Sequence, residues 1–162
     1  MGLRTAALVL LIATSLTACG EDGASTVKAK VKELIVESAL KEQYDALIDD
    51  AMQGYSPRFL EVMDEDIRKV VEDKLPFEEL KTNMIDSYAA RLRADEIDAA
   101  LRARYNPEQA QSILSDTPEG RGFSDKIVEA YLTPMEAFEN EFKVRDRQIV
   151  EVLNDMNTNF DR

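Results

Sequence analysis

The chain has 162 residues, 44% hydrophobic and 32% charged, with only 6 Gly and 5 Pro, which is the composition of one folded domain and not of a disordered chain. Asp and Glu number 32 against 20 Lys and Arg, and the net charge of −12 repels polyphosphates and anionic headgroups, so no nucleic-acid partner is expected. There is no His, no Trp and a single Cys, which removes Ser-His-Asp and Cys-His nucleophiles, thiolate or imidazole zinc sites, His-ligated haem and any intramolecular disulfide.

Arg4 precedes the apolar run Ala6 to Ala13, the charged and hydrophobic regions of a signal peptide. The run falls short of the about 20 apolar residues that a membrane-crossing helix needs, and Thr14 and Ser15 interrupt it. Leu16-Thr17-Ala18-Cys19 follows, and this resembles the lipobox of bacterial lipoprotein signal peptides. The resemblance implies cleavage after Ala18, leaving residues 1–18 as the signal peptide, and lipid attachment at Cys19. Acylation at more than one position anchors firmly. The same resemblance implies sorting by the residue after Cys19. Gly20, in place of the Asp that favours inner-membrane retention, points to the outer membrane, with the domain facing the periplasm. Residues 19–25 read as a short lipidated linker, and cleavage removes Arg4, which makes the mature chain still more acidic.

From Val27 to Met52 apolar residues recur at spacings of three and four, an amphipathic helical pattern whose phase slips between Val36 and Leu40, consistent with a bend or with two helices. Gly54 is expected to end it. Ser56-Pro57 carries a capping hydroxyl followed by proline, predicting a helix from Pro57 to Lys74 with Phe59, Leu60, Met63, Ile67, Val70 and Val71 on one stripe. Leu75-Pro76 breaks the chain. Phe77, Leu80, Met84, Tyr88 and Leu92 define the next helix, and Ile97, Leu101 and Tyr105 a shorter one opened by Asp95 and Glu96. Asn106-Pro107 repeats the cap-then-proline signal. Asp116 to Gly122, with its proline and two glycines, reads as the longest loop of the domain. Phe123, Ile127 and Tyr131 start a further helix, Thr133-Pro134 kinks it or opens another, and Met135 to Met156 carry the stripe towards a frayed tail at 157–162. The expected class is all-α, a single domain over 26–156 of six to seven helices in bundle-like or orthogonal packing.

Tyr88, Asp95-Glu96-Ile97, Leu101, Tyr105 and Thr117-Pro118-Glu119-Gly120 together resemble the bacterial family catalogued as domain of unknown function 2059, exported helical proteins of the cell envelope. Here Asn106 to Ser115 separate the aromatic position from the proline-glycine turn, which that family joins directly, and Arg104-Tyr105 stands where it has an aromatic pair. The resemblance implies a helical fold and an envelope location, and no catalytic residue.

Carboxylates are the one plentiful chemical group. Asp45 with Asp49 and Asp50, Asp64-Glu65-Asp66 with Glu72 and Asp73, and Asp95-Glu96 with Asp98 each sit beside an apolar stripe, the pattern of a solvated helix face, and none has calcium-loop spacing. No catalytic residue, metal site or cofactor is therefore assigned. Met52, Met63, Met84, Met135 and Met156 read as core. Phe123, Ile127 and Tyr131 are the candidate apolar binding surface, on a segment expected to move between the loop and the Thr133-Pro134 break. The functional expectation is a non-catalytic interaction or accessory protein of the envelope, tethered to the membrane at Cys19 and facing other envelope proteins. A binding module for a small apolar ligand or lipid is the alternative, and a carboxylate-based hydrolase a distant third.

Overall fold

A computed structural model describes residues 21–159 of the chain; the signal-peptide reading, Cys19 and residues 160–162 lie outside the described residues. Among the described residues there are seven α-helices and no strand: α1 (Glu21–Leu34), α2 (Glu37–Tyr55), α3 (Asp64–Lys74), α4 (Phe77–Arg91), α5 (Ala94–Tyr105), α6 (Ala110–Asp116) and α7 (Pro118–Asn159). The all-α class follows directly. Helix α1 begins at Glu21, inside the stretch expected as a linker, which holds no proline to stop it.

The phase slip after Leu34 separates two helices. Val36 takes an extended backbone, φ −82° and ψ 101°, and Glu37 then opens α2 beside its positive end. Gly54 does not end α2. The helix runs through it to Tyr55, and no described glycine has positive φ. A Cβ at Gly54 would meet nothing within 4 Å. Replacing it with alanine therefore adds helix propensity at no steric cost, and Gly54→Ala should stabilise the domain by about 0.5 kcal/mol, read as a higher urea midpoint.

The Ser56-Pro57 signal opens only one turn of 3-10 helix, Ser56–Arg58, and α3 starts later, at Asp64. Three consecutive acids, Asp64, Glu65 and Asp66, occupy the first turn of α3 and favour a start there. The stripe expected across Phe59 to Met63 is a loop that buries Phe59 and Val62 while leaving Leu60 81% and Met63 64% exposed, so Met63 is not core. Leu75-Pro76 breaks the chain as expected, and the carbonyl of Leu75 accepts the hydroxyl of buried Tyr44 at 2.9 Å. Tyr44 packs edge-on to Phe77 and against Phe138 at the centre of the core.

The largest departure is at Asp116 to Gly122. Only Thr117 separates α6 from α7, and Glu119, Gly120, Arg121 and Gly122 are helical. Thr117 accepts the Gly120 N–H through its hydroxyl at 3.0 Å and donates that hydroxyl to the Ile113 carbonyl at 2.7 Å, with Pro118 at the first helical position. Nor does Thr133-Pro134 divide the last helix. Pro134 deprives the Ala130 carbonyl of its usual donor four residues on, and Ser87 of α4 supplies the missing hydrogen bond at 2.7 Å. Helix α7 thus continues for 42 residues, about 60 Å at 1.5 Å per residue, and packs on α3, α4, α5 and α6. Arg145 pins its second half with a bidentate pair to Glu79 at 2.8 and 2.9 Å, and Tyr55 donates to Asp146 at 2.8 Å.

Candidate functional site

Phe123, Ile127 and Tyr131 recur every four residues on α7 and so share one face of it. The structure brings all three to one groove of about 300 Å³, open to solvent. The opposite wall is the α1–α2 junction, where Leu34 ends α1 and Ile35 and Val36 leave the helical path, followed by Ala39, Leu40 and Gln43 of α2. Met84 and Tyr88 of α4 complete the groove. The sequence pointed to the α7 residues alone. The junction wall comes from a helix break that only the phase slip foreshadowed, and Tyr88 lies on a stripe that read simply as core.

The chemistry of the groove is narrow. Tyr131 donates its hydroxyl to the Gln43 side chain at 2.8 Å, tying α7 to α2. Burial, with the neighbouring Tyr131 second, pushes the Tyr88 hydroxyl up to about 12, so it stays neutral at any physiological pH. No Asp, Glu, Lys or Arg lines the groove. Apolar surface continues over its lip. Val36 is 45% exposed, and Val128 and Leu132, each one residue and about 100° round the helix from Ile127 and Tyr131, are exposed as well.

The loop and the break expected to flank this α7 segment are not there: it belongs to a continuous helix with bonds on both sides of the groove. Ser87 holds Ala130, Arg91 reaches Thr133 at 3.1 Å, and Lys126 bonds both carboxylate oxygens of Glu96 at 2.7 and 2.9 Å. Glu96 corrects a second expectation. It is fully buried at the start of α5, where a solvated face was expected. Its carboxylate accepts the Arg93 N–H at 2.8 Å and faces the Arg93 guanidinium at 2.9 Å. Burial opposes its ionisation, but the Arg93 N–H, Lys126 and the Arg93 charge together outweigh that and hold its carboxyl below the ordinary glutamate value. The Arg93 to Glu96 spacing is the acceptor half of a capping box, the one signal in the sequence that marks it.

In the other acidic clusters some members form ion pairs: Asp45 with Lys41, Asp49 with Arg68, which also approaches Glu72 at 3.5 Å, and Asp98 with Lys30 at 2.6 Å. Among the described residues no group of three or more acids converges to hold a metal ion. No described helix is long and apolar enough to cross a membrane. No protein-family model matches the chain, and no curated protein or solved structure matches it either.

Proposed function

We propose that the protein is a lipid-anchored, periplasm-facing accessory protein of the bacterial envelope, held at Cys19 in the outer membrane, that binds apolar groups of a partner protein in the α1–α2/α4/α7 groove. One observation carries the binding reading: apart from Gln43 and two tyrosine hydroxyls the lining of the groove is apolar, no charged side chain lines it, and its one ionisable group of raised value, Tyr88, is neutral at working pH. Among the usual proton-transfer groups the groove offers only tyrosine hydroxyls, and burial holds Tyr88 neutral, which supports binding over catalysis. Its volume lies at the lower end of the range for small-molecule pockets, and it is open along one side, which suits one or two side chains of a protein better than an enclosed ligand.

A photo-crosslinking phenylalanine analogue placed at Val36, on the groove, and separately at Val144, an exposed position farther along α7, tests the reading in intact cells. The Val36 probe should give a discrete adduct that Ile127→Asp abolishes, and the Val144 probe should not. In the same strain Cys19→Ala should remove the acyl mass and shift the chain from membrane to soluble fractions. Identical adducts from both positions, or none from Val36, would sink the groove as the binding site; unchanged mass and fractionation would sink the anchor.

A further inference from the structure

Resting on that groove reading, we infer that its partner segment is a basic amphipathic helix. The first argument concerns the partner's backbone. Apart from Ile35 and Val36 the walls of the groove are helical, and the described residues hold no strand, so the groove presents no free row of backbone N–H and C=O groups. An extended peptide gains affinity by adding to a sheet edge, and here there is none. A segment that satisfies its own backbone hydrogen bonds loses least on entering such a groove, and an α-helix does so with apolar residues presented at spacings of three and four.

The second argument is charge. Glu33, Glu37 and Glu42 lie next to lining residues on the α1–α2 side. Glu37 is neutralised by Lys81 at 2.8 Å; the Glu33 carboxylate accepts the Tyr105 hydroxyl at 3.1 Å while the Arg104 guanidinium bonds the Glu33 backbone carbonyl at 2.9 Å, and Glu42 has no ion-pair partner among the described residues. The lysines beside the groove are engaged: Lys41 with Asp45, and Lys126 with Glu96. With a net charge of −12 behind them, these acids attract a cationic helix and repel an acidic one.

The chain has no tryptophan, so a partner peptide that carries one reports its own binding. The probe is a helical leucine-lysine peptide with one tryptophan on its apolar face, matched by a leucine-glutamate peptide of identical apolar face, each titrated into the unlipidated mature chain. The lysine peptide should bind with a blue-shifted emission and at least tenfold more tightly than the glutamate peptide. Glu33→Gln with Glu42→Gln should weaken it and flatten its salt dependence. Val36→Asp should cost it at least tenfold. Val36 is exposed and sits at the cap position of α2, where Asp is favoured, so this variant keeps the fold. Equal binding of both peptides, lost in Val36→Asp, would overturn the basic helix and leave the groove reading standing. Lysine-peptide binding that Val36→Asp leaves intact would overturn both. Self-association that Val36→Asp abolishes would assign the groove to a second copy, and binding of oleate with neither peptide would assign it to a free lipid; either overturns the inference.

Discussion

Gly120→Ala should destabilise the domain by about 2 to 3 kcal/mol, although alanine is the better helix former by about 1 kcal/mol. Gly120 is buried in the first turn of α7, where α6 crosses it. A Cβ there would lie 2.0 Å from the Ile113 carbonyl oxygen and 2.6 Å from the Leu114 Cα. Those are backbone atoms, which no rotamer change can move, so α6 must shift and loosen the Thr117 bonds that join the two helices. For a domain of this size the loss corresponds to a melting temperature lower by roughly 10 °C. Urea unfolding of the unlipidated chain checks it, with Gly54→Ala as the internal control: the same chemical change, nothing within 4 Å, and the opposite sign expected. A Gly120→Ala chain as stable as the parent would mean that α6 and α7 do not approach so closely.

These two glycines show why parts of the fold were legible and others were not. Apolar spacing of three and four depends on neighbours along the chain, so the stripes of α2, α4 and α5 and the break at Leu75-Pro76 could be read directly. A glycine carries no such local meaning. It serves a left-handed turn or a close approach equally well, and which one applies depends at Gly120 on the α6 backbone and at Gly122 on the buried Glu96 side chain, whose carboxylate lies 2.4 Å from where a Cβ would stand. Pro134 is similar. Its break is avoided by a hydroxyl 47 positions earlier in the numbering, on Ser87, and no local pattern announces that donor. The loop from Phe59 to Met63 misled for the opposite reason, since its apolar residues keep helical spacing while only Phe59 and Val62 find the core.

The candidate site divides in the same way. Phe123, Ile127 and Tyr131 could be picked out because they lie on one helical face, whereas the facing wall required knowing that α1 and α2 part at Val36 and pack across from α7. The hydrogen bond from Tyr131 to Gln43 spans 88 positions. What makes the groove one surface is therefore tertiary, and its rigidity comes from anchors on α7 that flank it: Ala130 on Ser87, and Lys126 on Glu96.

The second of those anchors gives the other large effect. Glu96→Ala should cost about 2 to 3 kcal/mol, below the 3 to 5 kcal/mol typical of breaking a fully buried pair, because Lys126 and Arg93 are partly exposed and can return to water. Glu96→Gln, which keeps the shape and one acceptor, should cost about half as much. The pH dependence separates charge from packing. In the folded chain the Glu96 carboxyl ionises below its ordinary value of 4.5, so between the two values the unfolded chain binds more protons and stability rises with pH. The charge contribution is fully present above the unfolded value and is lost as pH falls through the depressed folded one. Asp95 is also held low by Arg93, but it is common to parent and variant, so the difference between parent and Glu96→Gln isolates Glu96. That difference, followed by urea unfolding from pH 7 downwards, should stay constant to about pH 5 and then shrink through the acid range. A difference that does not change with pH would show that folding leaves the Glu96 carboxyl unshifted, and one that widens in the parent's favour as pH falls towards 4.5 would show that it is raised and neutral in the fold near pH 7. Its contacts to Lys126 and Arg93 would then be packing alone, and the α7 wall of the groove would have lost the charge that holds it to α5.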